Sequence, residues 1–385
     1  MNPVYFDNAA TTPVREEVIT AITHSLKNTF GNPSSTHSYG RSAKSRVESC
    51  RKTIASLLNA EASEIVFTSG GTEGDNMVLQ SAVATLGVTH IITSKIEHHA
   101  VLHTIQELEK RYGITVSYVQ LQKNGLIDLA HLEALLQKAT QKTLVSLMHV
   151  NNETGAVLDL EQTGHLCRQY QALFHSDTVQ SIGKYILDVK KIPIDFAVAS
   201  AHKFHGPKGV GFLFVRNRSG LKSVFYGGEQ ERGYRPGTEA VHNIVGLTEA
   251  LKLAYQYLDA EKEHIYNLKT YFVAQLKTHL PEIKFNSPTE KKLASDTILN
   301  VRFPGSATPS SLFLFQLDLK GIACSQGSAC QSGSLQGSHV LQEILTSEEL
   351  AQPSLRFSLS CFNTRQEVDY VVQTLTQLTR KAKTS

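Results

Sequence analysis

Four short stretches carry side chains that could do chemistry together. Asp177 sits in "SDTVQ", Lys203 lies between histidines in "SAHKFHGPKG", Gly70, Gly71 and Thr72 form the turn "TSGGTEG", and Cys330 stands inside "CSQGSACQSGS". A lysine close to other cationic groups and partly desolvated has the lowered pKa that Schiff-base chemistry requires. Glycines at a helix start let the backbone approach an anion, and free N–H groups with the helix dipole favour a phosphate, to which Thr72 adds a hydroxyl. Alone, that turn is weak evidence, because strand-to-helix turns are glycine-rich for steric reasons. Cys330 is unusual in another way: buried thiols act as small hydrophobes, whereas glycine and serine favour wet loops. Either this thiol is incidental there or it is meant to be reached.

These stretches need elements that bring them together. Short β-rich runs alternate with helical patterns at 64–68, 90–93, 115–121, 143–150, 172–176, 195–200 and 209–215. This alternation predicts an α/β fold with a seven-stranded, largely parallel sheet covered by helices. Such sheets bind ligands beyond the carboxyl ends of their strands. The residues after the runs are therefore the candidates: Gly71 and Thr72 after the first, His98 after the second, Asn152 after the fourth, Asp177 and Gln180 after the fifth, Ser200, His202 and Lys203 after the sixth. His99 and His103, four apart, could share a helix face as metal ligands, but no H-E-x-x-H glutamate accompanies them. One cofactor needs a lysine, a carboxylate for a pyridinium nitrogen, a donor-rich phosphate cradle and an imidazole able to stack on a ring: pyridoxal 5'-phosphate.

After Pro236-Gly237 the apolar residues from Val241 to Leu258 fall at helical spacing and predict one long connecting helix. The runs "TILNVRF", "LFLFQL" and "SLRFSLS" and a final amphipathic segment then predict a smaller α+β unit. The domain expectation is a large cofactor-binding domain over 16–258 and a small domain made of 1–15 and 259–385.

Composition excludes several classes. The 385 residues hold 38 basic and 35 acidic side chains, a net charge of +3, too even to argue for nucleic acid or a membrane surface. No apolar run approaches the ~18 residues of a membrane span, and the N-terminus lacks a basic segment followed by an apolar one, so a cytoplasmic location is expected. Five scattered cysteines fit free thiols in a reducing compartment better than a disulfide framework. The Cys324 to Cys330 spacing, without a second cysteine pair, is not a zinc pattern, and no metal is expected.

The ordered motifs "YFDNAATTP", "FGNPSSTH", "TSGGTEGDN", "MHVNNETG", "DTVQSIGK", "SAHKFHGPKGVG", "RPGTE" and "GSACQSGSLQGSHVL" span nearly the whole chain. In this order the chain resembles the cysteine desulfurases of the class V aminotransferase family, in the long-loop branch that includes NifS and IscS. The resemblance implies the aspartate aminotransferase-like fold type I and removal of sulfur from L-cysteine, with L-alanine as the other product. It implies that Lys203 holds pyridoxal phosphate as a Schiff base, Asp177 pairs with its ring nitrogen, His98 stacks on the ring, and Gln180 and Asn152 lie at the ring hydroxyl. Gly71, Thr72, Ser200 and His202 would hold the phosphate, joined by Thr238 from the second subunit of a homodimer. Arg356 and Asn152 would bind the substrate, and Cys330, on a mobile loop, would receive the sulfur and pass it to an acceptor protein such as an iron–sulfur cluster scaffold. His98 would serve as acid and base on the substrate thiol while Lys203 moves the Cα proton. Three alternatives share these features in part: a selenocysteine lyase, an aminotransferase of the same fold, and an inactive sulfur-carrier or scaffold-binding protein.

Overall fold

The computed structural model describes residues 3–288, 290–304, 309–327 and 337–383. Its main sheet contains β2 (Ile65–Thr68), β3 (His90–Thr93), β4 (Thr115–Tyr118), β5 (Thr143–Ser146), β6 (Leu173–Asp177), β7 (Phe196–Ser200) and β8 (Gly211–Val215), while β1 (Val4–Tyr5) belongs elsewhere. The strand order is β2-β8-β7-β6-β5-β3-β4. Strand β8 runs antiparallel to both β2 and β7, and the remaining pairings are parallel. The expected α/β architecture is therefore present, with three runs trimmed by two residues or more: 115–121 narrows to four paired residues, 143–150 to four, and 209–215 to five. The trimmed ends of the fourth run became loop, and that loop carries Asn152.

Alternation along the strands fills both faces of the sheet. Ile65, Phe67, Phe212 and Phe214 point to one core, which α1 (Glu16–Asn28), α2 (Ser38–Leu57), α5 (Leu129–Lys138), α6 (Leu160–Gln169) and α7 (Val241–Gln256) cover. Val66, Leu213 and Val215 point to the other, under α3 (Gly71–Ala84) and α4 (His99–Tyr112). A period of two with apolar residues on both faces is what a sheet buried between helix layers demands.

The connecting helix expected over 241–258 is present as α7 (Val241–Gln256), and a second helix lies directly beyond it. Helix α7 ends at Tyr257, whose φ of −104° and ψ of 11° leave the helical range, and α8 (Leu258–His279) follows at once. The cause is a change of core: α7 packs Ile244, Leu247 and Leu251 against the large sheet, whereas α8 packs Leu268, Phe272 and Leu276 against the smaller unit. There β9 (Lys284–Phe285), β10 (Ile298–Arg302) and β12 (Ser354–Ser358) form an antiparallel sheet, and β11 (Ile322–Ala323) pairs in parallel with β1. Helices α9 (Ser310–Asp318), α10 (His339–Ile344), α11 (Ser347–Leu350) and α12 (Arg365–Lys383) complete it. The N-terminal segment starts in this smaller unit at β1 and then runs to the large sheet, where the Thr12 N–H donates to the His202 carbonyl at 2.9 Å. No helix among the described residues is long and apolar enough to cross a membrane.

Candidate active site

The carboxyl ends of β2, β6 and β7, with the loops after β3 and β5, open into one cavity of about 770 Å³. Ten of the twelve residues singled out from the sequence line it: Gly71, Thr72, His98, Asn152, Asp177 and Gln180, then Ser200, His202, Lys203 and Arg356. Thr238 does not line the cavity of its own chain and is exposed on the segment before α7. Cys330 lies outside the described residues.

Each wall follows from a local rule. Gly70 precedes α3 with a φ of 151°, a conformation that L side chains rarely adopt, and no side chain caps the helix there. The first-turn N–H groups of a 14-residue helix thus face the cavity's edge beside Gly71, Thr72 and Ser200. A Cβ at Gly71 would come within 2.7 Å of Val179, so a side chain there would push Val179, itself a lining residue, into the cavity. Arg235 of the "RPGTE" segment pairs with Glu73 at 2.8 Å and ties that segment to the same helix start.

Lys203 extends from the turn after β7, where its Nζ donates to the carbonyls of Ala9 (2.6 Å) and Ala10 (2.8 Å). Asp177, buried at the end of β6, accepts the Val179 N–H at 2.9 Å. Burial raises its pKa, and the His98 and Lys203 charges oppose that rise. Asp75, one helical turn beyond Gly71, is raised further by burial and then by Asp177 and Glu97. Its Oδ1 and His175 Nε2 stand 3.4 Å apart, both buried without a hydrogen-bond partner among the described residues. A carboxylate so placed favours a cation, since a neighbouring positive charge restores the ionised form that burial penalises.

His98 is the N-cap of α4, and its Nδ1 accepts the Ala100 N–H at 3.2 Å. That bond leaves Nε2 to carry the proton of the neutral ring. His202 is a neutral imidazole: burial, and then the Lys203 charge, bring its pKa down to about 4. Arg356, on β12, reaches the cavity from the smaller unit, with Nη2 on Asp7 at 2.9 Å and Nη1 on the Asn152 carbonyl at 2.8 Å. Its Nε has no partner among the described residues. His99 and His103 do stack, with ring centroids 4.6 Å apart, but they do not line the cavity, and no His, Cys, Asp or Glu cluster among the described residues could hold a metal.

The four described cysteines are poor nucleophiles. Burial pushes up the thiols of Cys50, Cys167 and Cys324, and that of Cys361 to about 12. Sequence reasoning overlooked Ala9, Ala10 and Asp75 in the wall and Asp7 behind Arg356. Asp75 had a signal, its place four residues after Gly71 on the helix that opens the anion-suited turn; the backbone carbonyls had none.

A family model described as aminotransferase class V matches residues 4–371. The chain belongs to the class V aminotransferase family. Among relatives of this family, a cysteine desulfurase IscS of Dictyoglomus turgidum is 39% identical over 383 residues, covering 99% of this chain and 95% of that protein. A solved NifS-like protein superposes with a TM-score of 0.90 at 34% identity, covering 98% of this chain and 99% of that one. The structure of SspA in complex with cysteine gives a TM-score of 0.77 at 34% identity, covering 94% and 100%. Class V aminotransferases use pyridoxal phosphate, and the cavity fits it: a lysine amine, a buried carboxylate in need of a cation, and an uncapped helix start with serine and threonine hydroxyls supply the three kinds of contact that cofactor requires.

Proposed function

We propose that this protein is a cysteine desulfurase that takes sulfur from L-cysteine, releases L-alanine and leaves a persulfide on Cys330. The observation that carries the reading is the meeting of Lys203, Asp177, His98 and Arg356 in one cavity. Lys203 would hold the cofactor, Asp177 would pair with its ring nitrogen, His98 would cover its face, and Gln180 and Asn152 would serve its hydroxyl. Gly71, Thr72, Ser200 and His202 would receive the phosphate. Bound pyridoxal phosphate supplies an electron sink that makes an amino acid's Cα proton removable.

The remaining work falls to the chain's own groups. Arg356 takes the substrate carboxylate, for which a guanidinium fork is the matching shape. The Lys203 amine carries the Cα proton, and His98 exchanges a proton with the substrate thiol through Nε2. The Cys330 thiolate attacks the substrate sulfur; the S–S bond forms as the C–S bond breaks, the electron pair returns to carbon, and a proton there completes alanine. The raised thiols of the four described cysteines support giving this role to Cys330.

Three further parts belong to the same reading. A second copy of the chain supplies Thr238 to the phosphate, which accords with its exposure away from its own cavity. The persulfide passes to an acceptor protein, an iron–sulfur cluster scaffold being the class expected. The setting is the cytoplasm, where a reducing milieu keeps such a thiol usable. The test is the visible spectrum of the purified protein before and after L-cysteine, with alanine and sulfide assayed in parallel. The reading expects a yellow protein whose band changes with L-cysteine as alanine appears, and loss of band and turnover in Lys203→Ala. A colourless protein that takes up no cofactor, or one that forms no alanine, would contradict it.

A further inference from the structure

Behind Lys203, on the side away from the cofactor cavity, lies a second cavity of about 660 Å³ between the two units of the chain. Lys203 and Ala9 belong to the walls of both cavities. The second contains another amine, Lys184, in the loop after Gln180. Its Nζ donates to Gln180 Oε1 at 3.3 Å, Gln180 Nε2 donates to the Ala9 carbonyl at 2.8 Å, and that carbonyl also receives Lys203 Nζ at 2.6 Å. A carbonyl on one side and an amine on the other fix which way the Gln180 amide faces. The two lysines are thus joined through one amide and one carbonyl.

We propose that Lys184 is a positioning residue for Lys203, a second amine that acts across the Gln180 amide and the Ala9 carbonyl to keep Lys203 aimed into the cofactor cavity and ready to give up a proton. Two like charges in a poorly solvated wall raise each other's cost, so charge on Lys184 favours the neutral form of its neighbour. Burial, and then the Lys203 charge, bring the Lys184 pKa itself down to about 7. The other charged or titratable groups facing Lys184 across the cavity are Tyr185, His205, Glu261, Lys262, Asp296 and Cys361. They supply no competing counter-charge, because Glu261 is paired with Arg15 and the lysines that act on Asp296 are Lys262, Lys269 and Lys291. Burial, then the Arg15 and Lys184 charges, keep His205 neutral, with a pKa of about 4.

The inference rests on Lys203 being the cofactor lysine. Its test uses the holoenzyme and reads the cofactor absorbance against pH, which reports protonation at the Lys203 nitrogen independently of turnover. Lys184→Met and Lys184→Gln should raise the midpoint of that titration by roughly half to one pH unit, the effect of removing one nearby like charge. Lys184→Arg, charged at every pH, should titrate at or below the parent's midpoint. Glutamine keeps a donor for Gln180 without charge, so its agreement with methionine separates charge from hydrogen bonding, and a purely structural role would not order the variants this way. Neutral variants that titrate at the parent's midpoint would overturn the proposal. A parent protein with no titrating cofactor band would instead fail the functional reading on which it rests.

Discussion

Two buried polar regions of this molecule are built on opposite principles. Under the edge of the main sheet, Arg51 places Nη1 and Nη2 on the two oxygens of Glu231 at 2.7 and 2.9 Å, Nε on Glu48 at 3.0 Å, and a further Nη1 bond on the Ile65 carbonyl. Glu231 also accepts the Phe67 N–H, and the guanidinium lies over the Phe67 ring. Glu231 sits in the left-handed region at a φ of 48°, so this saturated cluster holds a strained backbone in place. The cofactor cavity is the reverse. Arg356 meets Asp7 through a single nitrogen, and Arg356 Nε and Asp75 Oδ1 are buried without hydrogen-bond partners among the described residues. In the Arg51 cluster the bonding capacity is filled; in the cavity wall part of it is kept back for a ligand.

The largest effect is expected at Arg356. Arg356→Leu should lower kcat/KM for L-cysteine by roughly 10³-fold, the scale of losing a buried charge partner, while the cofactor band in the absence of substrate stays as in the parent. Equal loss of cofactor and activity would mean that Arg356 belongs with the structural arginines. Glu231→Gln is the converse. It leaves the buried Arg51 with only the partly exposed Glu48 as a counter-charge and should cost about 3 kcal/mol of stability, measured by denaturant unfolding, with kcat/KM at permissive temperature within about threefold of the parent. A kinetic defect without a stability defect would reverse the assignment.

A smaller effect is expected at His175, which faces the cavity residue Asp75 without itself lining the cavity. His175 is fully buried, and burial lowers its pKa from 6.5 to about 3. The folded state keeps it neutral while the unfolded chain protonates it below pH 6.5, so its contribution to stability is present above 6.5 and is lost as pH falls toward 3. The stability gap between the parent and His175→Gln should therefore shift in the variant's favour by about 1.5 kcal/mol between pH 6.5 and 5. An unchanged gap would mean that His175 is already charged in the folded protein, paired with an ionised Asp75 across their 3.4 Å separation.

The contrast also marks what could be read before folding. The cofactor side was legible because Gly71, His98, Asn152, Asp177, Ser200 and Lys203 each follow a strand closely, and parallel sheets gather such ends at one edge. The contacts behind them were not legible. Asp7 and Arg356 are 349 positions apart in sequence and meet because β1 and β12 belong to the same smaller unit, which no local periodicity encodes. The carbonyls that hold Lys203 carry no side-chain signature, and nothing in the spacing of "DTVQSIGK" singled out Lys184. The helix over 241–256 was legible from its spacing, but the separate helix that begins at Leu258 was not, because the core being faced changes at Tyr257.

The central claim is that sulfur leaves L-cysteine for one particular thiol, and mass spectrometry of the protein after a single turnover without external reductant tests it most directly. The account predicts one added sulfur on the peptide that carries Cys330, no added sulfur in Cys330→Ser, and a cofactor band and L-cysteine-induced spectral change that persist in that variant. Sulfur mapped to Cys324 or Cys361, or normal turnover by Cys330→Ser without added thiols, would contradict it.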